Sequence, residues 1–236
     1  MDLSPEGDVR VVVFDVNIYL DVARLLGAPF SWDRYQAFLR DNRSAYVPNG
    51  SSSAIDSAFA ISHSLSGEFS GGVGLQVWTS NHIDNLVMTK AGQPSREELE
   101  ARAAFGQSVR DEDCGLGWTS EASELLVHDL VYTVVYDETD GGSVGDITFP
   151  IGNPPLDHED GKVFATARMA GCEVAGEQCV TYCVTRDHGF RHPKTPLPRT
   201  VTVLYPHEWI ALLRKARYTA RSAKPEMLRR VRDRTH

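Results

Sequence analysis

RVVVFDVN, residues 10–17, is the stretch on which the fold turns. Arg10–Phe14 is a short, unbroken apolar run rich in β-branched valine. A half-buried strand would alternate, so an unbroken run predicts a strand covered on both faces, as in a parallel sheet. Ile18 to Leu26 then follows with helical spacing and stops at Gly27, a C-cap residue. A buried strand passing at once into a helix predicts an α/β architecture.

The alternation continues downstream. Ser31 is the expected N-cap of a helix reaching Arg40, before Trp32, Tyr35, Phe38 and Leu39. Those aromatic residues suit a core, or a face between two copies in a homodimer, more than a platform for stacking bases. Val47 to Gly72 is rich in Ser and Gly, with a helix expected over Ala54 to Leu65. Val73–Trp78 reads as a strand and Asn81 to Lys90 as a helix. Ser95 and Glu98 form a capping box opening a helix through Val109, and Ser120 opens another that carries the apolar segment Leu125 to Val135. Asp137 to Pro155 is rich in Gly and Pro, and is expected as a hairpin around Gly141–Gly142 or as an open loop. Asp157 to Ala170 is helical, Cys179–Thr185 and Thr200–Leu204 are strands, and Pro206 starts a last helix near its N1 position. The order predicts an α/β fold with a central, mostly parallel sheet. No repeat and no long linker divides the chain, so a single domain over residues 1–236 is expected.

Charge is unevenly spread. The chain holds 32 acids against 24 bases, a net −8. Residues 206–236 carry nine Lys/Arg and three acids, a balance of +6, which leaves −14 on the preceding 205 residues. An acidic body repels nucleic-acid phosphates, unless some of its carboxylates hold a metal. A hydrophobic fraction of 42% rules out a wholly disordered chain. No apolar run approaches the roughly 18 residues of a membrane span, so no membrane partner is expected. Met1 to Asp8 is acidic and lacks the basic start of a secretory signal. Cys114, Cys172, Cys179 and Cys183 lack CxxC spacing, and are expected as buried, reduced thiols of a cytoplasmic protein.

Ligands of open parallel sheets bind at the carboxyl ends of the strands. Asp15 and Asn17 follow the first strand, Thr79 and Ser80 the second, Thr185 and Asp187 the Cys179–Val184 strand. Asp157, Glu159 and Asp160 open a helix, and Asp157 and Asp160, three apart, share a face of its first turn. Asp157 also suits an N-cap. Several carboxylates in one crevice repel unless protonated or metal-bound. Oxygen-only ligands suit Mg²⁺ or Mn²⁺, which can activate water and stabilise charge on a phosphodiester.

VVVFDVN, LDHEDGKVFATARMAG, CVTYCVTRDHGF and TVTVLYPHEWIALL together resemble, in order, the signature of the PIN-domain ribonucleases. The matches run from Arg10 to Leu213. The resemblance implies a three-layer α/β/α sandwich and Mg²⁺- or Mn²⁺-dependent cleavage of RNA. It carries the metal-binding acids onto Asp15, Asp160 and Asp187, with Asp157 as a fourth, and polar supporting positions onto Asn17, Ser80 and Thr185. Many members are toxins of toxin–antitoxin pairs, which makes an antitoxin protein an expected partner. One motif departs: the acid usually found about six residues past the Ser falls here on Leu86. Asp84 is the nearest acid, but four residues past Ser80 it turns well away at 100° per residue. It is either a substitute catalytic acid through a register shift or a surface acid. The chain also exceeds a minimal PIN domain, with insertions expected near 30–72 and 137–155.

Arg186 and Arg191 flank Asp187, and would either bind substrate phosphate or pair with the acids. His158 and His188 are weaker candidates for proton transfer. The basic end, Arg214 to Arg234, would follow an RNA backbone or form a solvated helix face. VVVFDVN also looks like the opening of haloacid-dehalogenase-type phosphatases, but those need an acid where Asn17 stands. A PIN-like module that binds RNA or protein without catalysis is the third reading.

Overall fold

The computed structural model describes residues 9–48, 53–103, 108–110, 113–147, 156–175, 180–193 and 196–233. The apolar run forms β1 (Val9–Phe14), and Val11 to Phe14 are fully buried. β1 lies between two parallel neighbours, β3 (Val73–Ser80) and β5 (Thr181–Val184). In register, Val12 faces Val77 on one side and Tyr182 on the other. With a strand on each flank and side chains covered on both faces, β1 is the axis of the core, as its unbroken hydrophobicity predicts.

β6 (Val201–Leu204) continues the sheet in parallel beyond β5 and forms its edge. The other margin of β3 is shared. The short β2 (Glu68–Ser70) pairs antiparallel with its start, and β4 (Gly142–Val144) pairs parallel with its end. The protein is therefore mixed α/β with a mostly parallel six-stranded sheet.

β1 passes directly into α1 (Val16–Leu26), capped by Asp15 at one end and closed by Gly27 at φ 74° at the other. α2 (Trp32–Asn42) starts at the expected Ser31 cap, and α3 (Ala54–Ser64) packs on α1. Trp32 and Tyr35 join Phe30 in an aromatic cluster, with Tyr35 buried and its hydroxyl donated to the Ala58 carbonyl. Phe30 and Tyr35 are buried in the core, and Trp32 is half-buried against them. α4 (Asn81–Gly92) leaves β3 without a loop, and α5 (Arg96–Arg102) carries the full capping box but ends before Val109.

α6 (Ser120–Leu126) is capped by Thr119 rather than Ser120, and continues as a π-helix over Val127–Asp137. Beyond it Gly142 is not the tip of a hairpin: Gly142–Val144 forms β4, which runs parallel to β3. Gly141 permits this, because a Cβ there would sit 1.8 Å from the Val77 carbonyl oxygen. Part of the expected 137–155 insertion, residues 148–155, lies outside the described residues.

α7 (His158–Ala175) packs on β1 and β5. After β5 come the short α8 (His188–Arg191), then β6, then α9 (Pro206–Asp233), which packs on α3 and β2. Trp209 of α9 is fully buried against Tyr182 and Phe69, and its indole N–H reaches Ser64 Oγ at 3.0 Å. One hydrophobic cluster extends from Val12 to Leu213. Among the described residues no helix is long and apolar enough to cross a membrane. Of the cysteines, only Cys183 meets the expectation of burial: Cys172 is exposed and Cys114 half-buried, while Cys179 lies outside the described residues.

Candidate active site

Asp15, Asn17, Asp160 and Asp187 line one cleft of about 460 Å³, together with Glu159 and with Leu86 and Lys90 of α4. Its position follows from the topology. β1 leads on to β3 on one flank, while β5 leads to β6 on the other, so the connections leaving their carboxyl ends diverge and leave a crevice there. Asp15 directly follows β1, and Asp187 lies three residues past the end of β5.

Asp15 is the most constrained of these acids, at 5% exposure. Its Oδ1 accepts the Val16 amide at 2.7 Å, and its Oδ2 accepts the Asn17 amide and, at 2.6 Å, the Thr185 hydroxyl. A carboxylate offers about four lone-pair directions, so three filled leave one for a ligand. Burial pushes the Asp15 carboxyl up to about 6, with a further push from the Asp187 charge, while those three donors hold it down.

Asn17 also anchors the opposite wall. Its side-chain oxygen accepts the Arg186 amide at 3.1 Å, and its nitrogen reaches Thr185 Oγ1 at 3.2 Å. Thr185 Oγ1 in turn accepts the Asp187 amide at 2.9 Å. Asp187 caps α8 by accepting the Phe190 amide at 3.1 Å. Two polar side chains thus tie the ends of β1 and β5 into one rigid edge.

Asp160 enters from α7 and is pushed up to about 8, first by burial and then by the charges of Asp15, Asp157, Asp187 and Glu159. Asp157 is exposed, and its Oδ1 caps α7 by accepting the Asp160 amide at 2.9 Å. It does not line the cleft, so capping accounts for its place. Glu159, beside it in the same acidic run, does line it.

Asp84 is neither a cleft residue nor a surface acid. At 8% exposure it accepts the Thr79 hydroxyl at 2.6 Å and a hydrogen bond from Tyr132 of the π-helix. Burial raises it to about 6, against the lowering effect of both hydroxyls. Leu86, the position the PIN resemblance assigns to an acid, is the one that faces the cleft. Lys90, one turn further on, went unnoticed in the sequence reading, although i and i+4 share a helix face.

Ser80 caps α4 and receives a hydrogen bond from Thr166 at 2.9 Å, which joins α4 to α7 beneath the site. Arg186 turns its guanidinium away from the cleft onto Asp21, a buried acid that also accepts the Ser57 hydroxyl. Arg191 reaches Glu208 at 3.4 Å and lies over the Tyr205 ring. Neither arginine lines the cleft. His158 is exposed, and His188 pairs with the Tyr205 hydroxyl at 3.0 Å.

The carboxylate oxygens that line the cleft fit a hard divalent cation better than a soft one, and Cys114 adds a thiol to the wall. Among the described residues no three His, Cys, Asp or Glu side chains are grouped closely enough to form a ligand set by themselves. Mg²⁺ commonly binds through one or two carboxylates and keeps several waters, which is compatible with that spacing. Comparison with family models, curated proteins and solved structures gives no match to this chain.

Proposed function

We propose that the protein is a divalent-metal-dependent endoribonuclease of the PIN type, with an α/β/α fold. The observation that carries this reading is the convergence of Asp15, Asp160 and Asp187 on one cleft at the ends of parallel strands, with Asp160 raised to about 8 by burial and by its acidic neighbours. A carboxyl raised in this way keeps its proton at neutral pH for want of a counter-charge, and a cation would displace that proton. One or two of these aspartates, with water completing the shell, would hold Mg²⁺ or Mn²⁺. Such a metal supplies an activated water and stabilises charge on the phosphodiester.

The other residues prepare that arrangement. Thr185 and Asn17 orient Asp15 and favour its ionised form. Ser80 anchors α4 to α7. Lys90 brings a cation to the wall of an otherwise acidic cleft, where a phosphate oxygen would be attracted. Asn17 is a hydrogen-bonding amide between Asp15 and Thr185, which argues against the phosphatase reading, since that chemistry needs an acid there. In keeping with the PIN resemblance, the reading includes a cytoplasmic toxin role with an antitoxin protein as partner.

The test is cleavage of labelled single-stranded RNA. Activity is expected with Mg²⁺ or Mn²⁺, none in EDTA, and a loss of at least about 100-fold in Asp15→Asn and Asp187→Asn. Full activity in either variant, or activity indifferent to EDTA, would overturn the reading. One observation favours a second reading, a PIN-like module that binds RNA without cutting it: Leu86 stands where the resemblance places an acid. RNA binding with no cleavage under any divalent ion would select it.

A further inference from the structure

A second groove, of about 530 Å³, opens between α2, α3 and α9. It shares no lining residue with the acidic cleft. Arg40 and Arg43 approach from the end of α2, His63 from α3 and Arg214 from α9, and no carboxylate is among its lining residues. Arg40, Arg43 and Arg214 are exposed to solvent. In a chain of net charge −8, a groove walled by three guanidinium groups without an acid departs from the general trend.

The groove is also built to keep its shape. Arg217, one turn along α9, donates to the carbonyls of His63 and Glu68, closing the end of α3. Arg214 reaches His63 Nε2 at 3.3 Å and lies 5.8 Å from the centre of the Tyr46 ring. Tyr46 is stacked flat on Phe59, which lines the groove floor. His63 is pushed down to about 4 by burial and then by Arg214, Arg217 and Arg43, so it is a neutral imidazole at pH 7. The three arginines add to an effect that burial begins. Tyr218, 74% exposed, follows Arg214 by four residues and offers a flat ring beside these charges.

We propose that this groove is a second contact for single-stranded RNA, in which Arg40, Arg43 and Arg214 hold backbone phosphates of the strand, and this rests on the ribonucleic substrate of the proposed function. Guanidinium groups match phosphate oxygens in geometry as well as charge. Contacts of the three arginines to phosphate carry no sequence information, so their contribution is to affinity and not to sequence choice. It supplies the phosphate attraction that the acidic body lacks.

The experiment measures binding of a short fluorescein-labelled single-stranded RNA by anisotropy, in EDTA, across a salt series. Arg40→Ala combined with Arg43→Ala removes two exposed charges. It should weaken binding about 5- to 10-fold and lower the slope of log K against log salt by about 1.4; adding Arg214→Ala should bring the drop to about 2. Lys215→Ala, an exposed charge outside the groove, is the control, with thermal melts to show that every variant is folded. The proposal is overturned if folded groove variants keep both affinity and slope, if Lys215→Ala costs as much per charge, or if the unaltered protein does not bind RNA. The two readings separate cleanly. Groove-dependent binding without cleavage fails the nuclease alone, while metal-dependent cleavage with an indifferent groove fails the groove alone.

Discussion

Thr185 donates its hydroxyl hydrogen to Oδ2 of Asp15 across 2.6 Å, joining the ends of two neighbouring parallel strands. The Thr185 hydroxyl oxygen in turn accepts the amide of Asp187 at 2.9 Å. A single side chain therefore sets the direction of one cleft acid and the starting point of another.

Thr185→Val keeps the shape and removes the hydroxyl. The hydrogen bond favours the ionised form of Asp15, so its loss lets burial push that carboxyl above about 6. Mn²⁺ affinity measured by calorimetry should fall about tenfold, more at pH 6 than at pH 8, because a metal must displace the proton. Thr185→Ser should restore it. Equal losses at both pH values would leave Thr185 only a packing role.

Asp84 gives a prediction about stability. Its folded-state pKa is about 6 against an ordinary 3.8, so the folded protein holds this proton more tightly than the unfolded chain. The resulting stabilisation is complete below about pH 4, is lost as the pH rises through 6, and stays lost above it. Asp84→Asn removes the burial penalty on charge. It should stabilise the protein by up to about 3 kcal/mol at pH 7.5 and by almost nothing at pH 4, as read from urea midpoints. A variant destabilised at pH 7.5 would show that the Thr79 and Tyr132 bonds outweigh burial.

Arg186 and Asp21 should behave as a partly buried ion pair. Asp21 is buried, while the arginine keeps 28% of its side chain exposed, which screens the pair. Arg186→Ala should cost about 1–3 kcal/mol, less than the 3–5 of a fully buried pair. Adding Asp21→Ala should lessen the cost, since the buried carboxylate, left with Arg24 at 3.5 Å and the Ser57 hydroxyl, is then gone. Denaturation of both single variants and the double variant measures this coupling.

Trp209→Ala should cost about 3–5 kcal/mol, because it empties the contact between α9 and the Tyr182–Phe69 rings. Trp209→Phe should cost less, and its remainder reports the hydrogen bond to Ser64. A wild-type urea midpoint for Trp209→Ala would mean that α9 is not part of the cooperative fold.

The strands and helices along the main path were legible in the sequence because their signals are local. The VVVF run names a buried strand, and Ser31 and Ser95 mark helix starts by their own side chains. The cleft acids were legible by the same logic, since Asp15 and Asp187 stand at strand ends. Relations between distant segments were not. Nothing near Arg186 says that its partner is Asp21, and nothing near Asp84 announces Tyr132, which a π-helix delivers from almost fifty residues away. β2 was hidden by its three-residue length. β4 was misread because Gly141–Gly142 signals a tight turn and a close backbone approach equally well.

The sheet margin at β6 also bears on how the protein behaves in concentrated solution. β6 is only four residues long and is approached through Pro196, Pro198 and Arg199. Proline has no N–H to offer, so a foreign strand trying to extend its pairing upstream of Val201 finds the hydrogen-bonding row interrupted and a charge beside it. Self-templated stacking into fibrils needs a long, regular rim, and this one ends after about 13 Å at the usual rise per residue. The segment before β6 thus acts as a gatekeeper against amyloid-like growth from that side of the sheet.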